Sequence, residues 1–519
     1  MMKKGVKIAL GVVLFLFAAS LVWAYLNMVD RHRGYRADAR IIEQEPSLLR
    51  VGFSALPITP DVPDRWEDVN QDARYVPADG DSFTDGNGNG KFDPVWIAGF
   101  SNRRAANGVH DDLWARTMVI EDDHTRIALV VIDAIGFMHD DVVAVRKSLP
   151  DSLELDYLII ASTHTHEGPD LLGLWGSSYL KSGVSSAYLS FVKKQIAQSV
   201  ADAVEHRKLA RLELSQDLTG AAHLVKDTRK PEVFDSGMRL IRAVDSRTGE
   251  TLGTLMNWAD HPETLWSRNL LISSDFPHFV REGIEKGVYH EGKLKKKGLG
   301  GIALYANGAL GGLMATHPSL AVRDPFTDEE YKEPSFEKAH AQGQQLALLA
   351  LNAMEQPEAV IEKAAISLVV RTIKLPIANT LFKLGTAFGV LNRGTAGWMT
   401  MRSEVAAIQI GPLSLVTIPG EIYPELVNGG VEAPDGGDYQ IAPLEVPPIR
   451  EMMPGTYKFV LGLANDEIGY IIPKSQWDVE APYTYGRDNS PYGEENSPGP
   501  ETAPLIHQNL KEILDELKQ

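Results

Sequence analysis

Short apolar segments of strand length recur along this chain, and helical patterns fall between some of them. Segments that alternate in this way bury their apolar faces between layers of strands and helices. With 519 residues and 44% hydrophobic content, the chain is long enough for one large layered α/β domain. The predicted strands are Ala128–Ile135, Tyr157–Ser162, Thr254–Trp258, Ile302–Ala306, Ala406–Ile410 and Phe459–Leu463, and the predicted helices are Ala187–Glu205, Phe336–Met354 and a C-terminal stripe of Leu510, Ile513, Leu514 and Leu517.

The residue composition excludes several classes of site and partner. There is no cysteine, so disulfides, thiolate nucleophiles and cysteine-ligated zinc are excluded. Any bound metal must therefore be held by His, Asp, Glu or Tyr. The formal charge of −18, without a basic stripe interleaved with aromatic residues, argues against nucleic-acid binding.

The N-terminus has the composition of a membrane anchor. Lysines at positions 3, 4 and 7 precede the apolar stretch Ile8–Leu26, whose length is close to that of a spanning helix. Val22-Trp23-Ala24 also fits a cleavage pattern, so a cleaved signal peptide is the alternative. The lysines favour a cytoplasmic N-terminus, and both interpretations export the rest of the chain. We predict an anchor or signal over residues 1–28, a polar spacer over 29–48 and a folded body over 49–519.

A histidine pair follows one of the predicted strands. Residues 162–169 read Ser-Thr-His-Thr-His-Glu-Gly-Pro and come directly after the apolar run Leu158–Ala161. Residues two apart in an extended segment point to the same face, so His164 and His166 emerge together where the strand ends. Two neutral imidazoles aimed at one point can bind zinc. The alternative is one buried, hydrogen-bonded histidine beside one exposed histidine.

Three further residues of metal-binding type follow apolar strands. His261 stands in Trp258-Ala-Asp-His-Pro262, Glu421 follows Leu415–Pro419, and Tyr470 follows Phe459–Asn465. Functional residues are often placed at such strand ends, on loops held by a rigid scaffold. Each is a weak signal alone, because a single histidine or glutamate beyond a strand is usually only solvated.

The segment Asp85–Asp93 resembles the first part of a calcium-binding EF-hand loop. Glycine occupies loop position six, but a tryptophan replaces the bidentate glutamate at position twelve, so a full EF-hand is excluded. The interpretations are a calcium site or a turn-rich loop without metal. The oxygen ligands at loop positions one, three, five and nine would be Asp85, Asn87, Asn89 and Asp93.

A second local segment, Thr380–Met399, mixes Leu, Phe, Gly and Trp398 with little charge. It is interpreted either as an apolar lid over a lipid-binding cleft or as a packed hairpin. Composition alone leaves both interpretations open.

Taken in order, these motifs resemble the neutral (alkaline, non-lysosomal) ceramidase family. The resemblance extends from about Val51 to about Leu505, and its histidine and glutamate elements are specific when found together. It implies a single catalytic domain with mainly antiparallel sheets flanked by helices. The matching motifs are Gly52…Ile58-Thr-Pro60, Ser162-Thr-His-Thr-His-Glu-Gly-Pro169, Ala259-Asp-His-Pro262, Ile418-Pro-Gly-Glu421 and Gly462-Leu-Ala-Asn465 with Tyr470.

The resemblance also implies a site and a reaction. The family hydrolyses the amide between a fatty acid and a sphingoid base, with zinc that lowers the pKa of water and polarises the carbonyl. The implied zinc ligands are His164, His261, Glu421 and Tyr470. His166 would transfer the proton, and Arg229 and Tyr492 would stabilise the oxyanion. Asp133 and Asp275 are predicted to orient the histidines.

The sequence departs from the family at its Gly-Asp-x-Ser element, whose Asp and Ser contact substrate. Gly312 and Met314 occupy those two positions. A sphingoid hydroxyl left without its partners would cost roughly 1–3 kcal/mol, so ceramide itself is expected to be a poor substrate. We also expect no C-terminal immunoglobulin-like domain of the kind that the family carries.

We therefore predict an exported, membrane-anchored zinc hydrolase that cleaves the amide of an N-acylated sphingoid or other lipid-like substrate. One alternative is a zinc hydrolase that acts on a different acyl bond, such as an ester. The other is a catalytically inactive binding protein that keeps the fold.

Overall fold

Two β-sheets pack face to face in the computed structural model, which describes residues 2–312 and 314–519. Buried apolar side chains from both sheets, among them Leu129, Leu304, Leu368 and Ile408, fill the layer between them. Helices cover the outer faces of the sheets. The layered α/β fold with mainly antiparallel sheets that the sequence predicts is therefore confirmed.

The larger sheet has nine strands and is antiparallel except for one parallel pair at each end. These two parallel pairs are Thr251–Trp258 with Ile302–Asn307, and Arg126–Ile132 with Tyr157–Ser162. In spatial order the strands are Ile302–Asn307, Thr251–Trp258, Met238–Asp245, Lys208–Asp217, Arg50–Pro57, Trp114–Glu121, Arg126–Ile132 and Tyr157–Ser162, with Ala359–Ile361 also paired to Lys208–Asp217.

The smaller sheet has five strands and one parallel pair. That pair, Leu413–Thr417 with Tyr457–Leu461, precedes two of the predicted metal ligands in the sequence. In spatial order the strands are Ala39–Ile41, Ile366–Pro376, Thr400–Ile410, Leu413–Thr417 and Tyr457–Leu461.

Six short two-stranded pairs complete the β-structure of the described chain. One of them, Glu421–Ile422 with Tyr470–Ile471, is parallel. The others are Ser47–Leu48 with Lys363–Ala364, Arg65–Glu67 with Ser82–Thr84, Lys226–Asp227 with Met314–Ala315, Gly287–His290 with Lys293–Lys297, and Val322–Arg323 with Glu330–Tyr331.

Several helices begin where a side chain accepts a hydrogen bond from the first backbone amides. Ser185 accepts a hydrogen bond from the Tyr188 amide, and Ser335 accepts one from Lys338, as helix N-caps do. The helices are Met2–Met28, His139–Ser148, Ser186–Glu205, Phe276–Lys286, Phe336–Ala353, Thr380–Ala387, Pro424–Asn428, Ile449–Met452, Tyr492–Glu495 and Thr502–Leu517.

Every strand and helix predicted from the sequence is present, with differences of a few residues at the ends. Tyr157–Ser162 has the predicted bounds, whereas the predicted strand Ala406–Ile410 is the second half of Thr400–Ile410. The first half of that strand carries Arg402, Ser403 and Glu404, which are polar yet buried, so apolar patterning does not detect it.

The N-terminal part differs from the prediction in one respect. The predicted spacer, residues 29–48, is partly incorporated in the sheets, because Ala39–Ile41 pairs with the strand Ile366–Pro376 and Ser47–Leu48 pairs with Lys363–Ala364. These strands are two and three residues long, too short to show a periodic pattern. Within the helix Met2–Met28, residues Ile8–Met28 are long and apolar enough to cross a membrane.

Candidate metal centre

The parallel strand pairs end on one side of the molecule, where the two sheets meet. The Asn307 side-chain amide donates to the Thr163 carbonyl at 3.0 Å, which joins the two ends of the larger sheet. The backbone amide of Ser162 donates to the Leu463 carbonyl at 3.2 Å, and that of Gly462 donates to Asn307 at 3.1 Å, which joins this edge to the smaller sheet. The residues that follow these strands are therefore brought close together.

His164 is held in a strained backbone conformation at the end of its strand. Its φ of 69° lies in the left-handed region, which non-glycine residues seldom adopt and which is concentrated at functional sites. Its backbone amide donates to the Ala134 carbonyl at 2.9 Å. Its ring Nδ1 lies 2.5 Å from the Ile135 carbonyl, so Nδ1 carries the proton and Nε2 is free to bind a metal.

His261 is oriented in the same manner by a different segment. Its backbone amide donates to the Met314 carbonyl at 3.1 Å, and its ring Nδ1 lies 2.5 Å from the same oxygen. The Nδ1 proton is thereby fixed, and Nε2 faces the Glu421 carboxylate at 3.0 Å. Both histidines present the nitrogen that commonly coordinates zinc.

Glu421 and Tyr470 stand side by side because they are paired residues in the short parallel pair of strands. The Glu421 Oε2 lies 3.6 Å from the His164 Nε2, and the Tyr470 hydroxyl lies 3.5 Å from the His261 Nε2. Burial alone would raise the pKa of Glu421, but His164 and His261, when their rings are protonated, hold it below its usual value through charge and hydrogen bonds. A cation bound there would favour the ionised carboxylate in the same way, so Glu421 is available as a ligand.

These four donors fit a zinc ion. They are buried, they supply two nitrogens, one carboxylate oxygen and one phenol oxygen, and their facing atoms lie within 3.0–3.6 Å along the chain of contacts. The predicted convergence of His164, His261, Glu421 and Tyr470 is present. The metal-binding nitrogens of His164, His166 and His261 also lie within 4.8 Å of one another, so a three-histidine ligand set is a second arrangement that the geometry permits.

His166 lies beside these donors in a different environment. Neither ring nitrogen makes a hydrogen bond to any described residue, and Nδ1 is 3.5 Å from the Glu263 carboxylate. Beneath the ring, Arg104 donates to the His166 carbonyl and forms a fully buried ion pair with Glu167 at 3.1 Å. Burial, with the adjacent histidines, lowers the pKa of His166 well below its usual value. The ring is therefore neutral and its nitrogens are uncommitted.

An apolar pocket opens onto the donors. Its enclosed volume is about 90 Å³, and it is lined by Met138, Leu172, Ile377 and Phe382 together with His164, Glu421 and Tyr470. Mostly apolar walls with a few convergent polar groups are typical of small-molecule sites.

Tyr492 lies on the wall of the same pocket, with its ring centroid 6.0 Å from that of Tyr470. It is therefore close enough to reach a molecule bound beside the donors. Its predicted contact with an oxyanion stays a prediction.

Arg229 lies behind this wall rather than in it. Its guanidinium donates to both oxygens of Glu494 at 2.6 and 2.8 Å and stacks over the ring of Tyr423, and its described contacts include none of the metal-binding residues. Tyr423 in turn lies 6.1 Å from Tyr470, ring centroid to centroid. The predicted role of Arg229 in oxyanion stabilisation stays a prediction, and its contacts make it a support for Tyr423.

The prediction that Asp133 and Asp275 orient the histidines is wrong. Asp133 accepts two hydrogen bonds from Arg281 at 2.7 and 3.0 Å, and Asp275 caps the helix Phe276–Lys286. The orienting acceptors are backbone carbonyls, which replace the predicted carboxylates.

The two positions at which the chain departs from the ceramidase pattern have backbone roles. Gly312 has a φ of 64°, and Met314 buries its side chain in the core while its carbonyl holds His261. Leu313, between them, lies outside the described residues. Neither Gly312 nor Met314 offers a polar side chain to a substrate.

The Asp85–Asp93 loop lies at the surface. The Asp85 carboxylate accepts backbone hydrogen bonds from Gly88 at 2.6 Å and Gly90 at 2.6 Å, and the Asn87 and Asn89 amides donate to the Asp93 carboxylate. The same oxygens that close the loop would be the ligands of an ion. The predicted calcium site stays a prediction.

Two carboxylates near the donors belong to no motif recognised in the sequence. Burial raises the pKa of Glu263 to about 8, and burial with the charge of Glu421 raises the pKa of Glu467 well above its usual value. Glu263 stands two residues after His261, and Glu467 three residues before Tyr470. Their proximity to these ligands in the sequence was the one available signal.

Comparisons with known proteins agree with this geometry. Residues 88–315 match the family model described as neutral/alkaline non-lysosomal ceramidase, N-terminal, so the resemblance predicted from the motifs is confirmed over this range. A neutral ceramidase structure from Pseudomonas aeruginosa is similar with a TM-score of 0.63 at 16% identity, covering 91% of this chain and 75% of that chain. A structure described as ceramidase complexed with C2 gives the same values. No curated protein matches the chain.

Proposed function

We propose that this chain, which shares the ceramidase fold and matches that family over residues 88–315, is a zinc-dependent hydrolase of a lipid-like amide. The observation that carries the proposal is the convergence of His164, His261, Glu421 and Tyr470 beside an apolar pocket, which three of the four help to line. An N-acylated sphingoid base or a related N-acyl lipid is the proposed substrate.

The ligand set and its chemistry follow from the donors. His164 and His261 would bind zinc through Nε2, Glu421 through a carboxylate oxygen and Tyr470 through its phenol oxygen. Zinc held there would lower the pKa of a water molecule and polarise the amide carbonyl. The Ile135 and Met314 carbonyls keep both imidazoles in the tautomer that such binding requires.

The remaining residues move the proton and receive the developing charge. His166, whose ring nitrogens are uncommitted, would accept a proton from water and deliver it to the leaving amine. The Tyr492 hydroxyl would donate to the oxyanion of the tetrahedral intermediate, an interaction worth roughly 3–4 kcal/mol in the transition state. Arg229, which stacks on Tyr423, would act by fixing that ring behind Tyr470.

The pocket walls argue for an acyl chain as the group bound beside the donors. Leu172, Ile377, Phe382 and Leu391 present apolar surface, and burial of such surface contributes roughly 25 cal/mol per Å². Gly312 and Met314 supply no polar partner for a sphingoid hydroxyl, so an N-acyl lipid without that hydroxyl is the favoured substrate over ceramide.

We also propose that the helix Met2–Met28 is an uncleaved anchor that holds the body outside the cytoplasm. Residues Ile8–Met28 have the length and hydropathy of a spanning helix, and their apolar side chains are exposed. A cleaved signal is the alternative and would leave the body secreted.

Substrate profiling of the purified protein tests the proposed reaction. Ceramide, N-acyl amino acids and aryl esters should be offered to the wild type and to Glu421→Gln, which keeps the shape of the side chain but removes its charge. We expect amide hydrolysis by the wild type and a loss of at least a hundredfold in the variant. Ester hydrolysis without amide hydrolysis would favour the ester alternative, and zinc binding without any hydrolysis would favour a binding protein.

A further inference from the structure

The lid segment, Thr380–Met399, has two faces of different exposure. On its inner side Phe382, Thr386 and Leu391 line the apolar pocket. On its outer side Leu381 and Trp398 are 68% and 84% exposed. The interpretation of this segment as a lid therefore agrees with its inner contacts, while its outer apolar surface has no described partner from the body of the protein.

The lid segment is tied to the C-terminal end of the N-terminal helix. The Asn27 side-chain amide donates to the Ala387 carbonyl at 3.0 Å, and the Thr395 hydroxyl donates to the Met28 carbonyl at 2.6 Å. The Trp23 and Phe388 rings lie 6.0 Å apart, centroid to centroid. The position of the helix along a membrane normal therefore sets the position of the lid segment.

Helix geometry gives that position. The apolar span Ile8–Met28 has 21 residues, and at 1.5 Å per residue it is about 31 Å long, close to the roughly 30 Å thickness of a hydrocarbon core. Trp23 lies five residues before Met28, hence about 7 Å inside the end of the span. With the span across a bilayer, Phe388, whose ring centroid lies 6.0 Å from that of Trp23, would lie near the same depth, in the outer part of the acyl chains.

The charges of the lid segment agree with such a position. Its charged residues are Lys383 and Arg393 in a chain whose net charge is −18. Arg393 is buried and paired with Asp466 at 3.2 Å, so it does not reach the outer face and it fixes the segment to the body. Lys383, the remaining charge, is long enough to extend its amine to the headgroups.

We propose that the outer face of the lid segment inserts into the outer-leaflet surface of the bilayer that Ile8–Met28 spans, so that the pocket lies beside the acyl chains and receives its substrate from them. This inference rests on the proposed function and on the anchor being retained. The helix Thr380–Ala387 of the lid segment, about 10 Å in diameter, then lies between the pocket and the membrane. An exposed apolar surface that continues from a spanning helix fits a lipid surface, and a second copy of this chain is the competing occupant.

Depth measurements on the full chain test the proposal, and the absence of cysteine makes single labelling sites straightforward. Leu381→Cys and Trp398→Cys, each labelled with an environment-sensitive fluorophore, would be reconstituted in phosphatidylcholine vesicles. Val360→Cys is the matched control, because Val360 is 53% exposed on the larger sheet. We expect both lid probes to be quenched by acyl-chain nitroxides and shielded from aqueous iodide, with the opposite result at position 360.

Two outcomes would overturn the proposal. Lid probes that iodide quenches as strongly as the control would place the lid segment in water. Lid probes that are shielded only at high protein density, without nitroxide quenching, would assign the face to a second copy of the chain. The two labelled positions are independent, so the failure of one variant to fold leaves the other as the test.

A functional measurement separates this inference from the proposed function. Leu384, like Leu381, is exposed on the lid segment. Leu381→Glu combined with Leu384→Glu should reduce hydrolysis of a long-chain amide presented in vesicles, with hydrolysis of a short-chain amide in solution unchanged. Nitroxide quenching without hydrolysis of either amide would refute the proposed function and leave the membrane contact standing. Hydrolysis of both amides by the double variant at wild-type rates would refute the membrane contact.

Discussion

Gly99 lies against the ring of His166, and an alanine at position 99 tests the proton-transfer role of that histidine. A Cβ at this position would lie 2.6 Å from the His166 Cβ and Cγ and 2.7 Å from its Nδ1. Carbon atoms in contact are separated by about 3.5 Å or more, so the ring must move by about 1 Å.

The expected effect on turnover is large. A displacement of about 1 Å can cost roughly a hundredfold in rate, or about 2.7 kcal/mol of transition-state stabilisation. The ring has little room to move without loss, because Arg104 holds the backbone beneath it and the His164 ring lies 4.9 Å away. His166 is not one of the four proposed ligands, so zinc content should stay at the wild-type level.

Gly99 has a φ of 106°, and an alanine there is strained at a cost of about 1–3 kcal/mol whether or not it touches His166. Gly80→Ala is the matched control, because Gly80 has a φ of 101° and, apart from its chain neighbours, no described atom lies within 4 Å of the point that its Cβ would occupy. We expect Gly99→Ala to lower kcat about a hundredfold and Gly80→Ala to lower only stability. Equal kcat values for the two variants would refute the assigned role of His166.

Three further predictions concern stability, ion binding and the pocket. Burial alone would raise the pKa of Glu404, but the charge of Arg146 and the two hydrogen bonds that it donates hold that pKa below its usual value. Glu404→Gln should therefore lower the free energy of unfolding by about 3–5 kcal/mol in chemical denaturation at pH 7. The difference from wild type should shrink as the pH falls below about 4, because the wild-type carboxylate loses its stabilising contribution as it is protonated. Calcium at a hundredfold excess over its Kd should stabilise the wild type by about 2.7 kcal/mol in thermal denaturation but leave Asp85→Ala unchanged, and equal responses would refute the calcium site. In detergent micelles, Phe382→Ala should raise KM for a long-chain amide about tenfold, whereas Leu381→Ala, on the outer face, should leave KM unchanged. An equal change in KM for both variants would argue against the pocket as the acyl-chain site.

The sequence located the donors because each follows a strand with a clear apolar pattern. Tyr157–Ser162 is buried along its whole length, and Thr251–Trp258 is buried along most of it, so His164 and His261 could be assigned to strand ends from periodicity alone. Glu421 and Tyr470 also follow apolar strands, but their pairing in register depends on two-residue strands that have no periodic pattern.

The groups that orient the donors could not be predicted in the same way. The Ile135 and Met314 carbonyls hold the histidines, and a backbone carbonyl leaves no residue-specific mark in a sequence. Asp133 has the residue type expected for a group that orients a histidine, but its carboxylate accepts hydrogen bonds from Arg281, which is distant in the sequence. Arg229 likewise pairs with Glu494, 265 residues away. Such contacts are set by the tertiary fold and not by local pattern.

The most direct test of the central claim is the zinc content of purified wild type, His164→Ala and His166→Ala, measured side by side after dialysis. We expect a single tightly bound zinc ion in the wild type and in His166→Ala, and none in His164→Ala. Loss of zinc from His166→Ala as complete as that from His164→Ala would support the three-histidine ligand set and contradict the proposed one. A wild-type protein without stoichiometric zinc would contradict the metal centre as a whole.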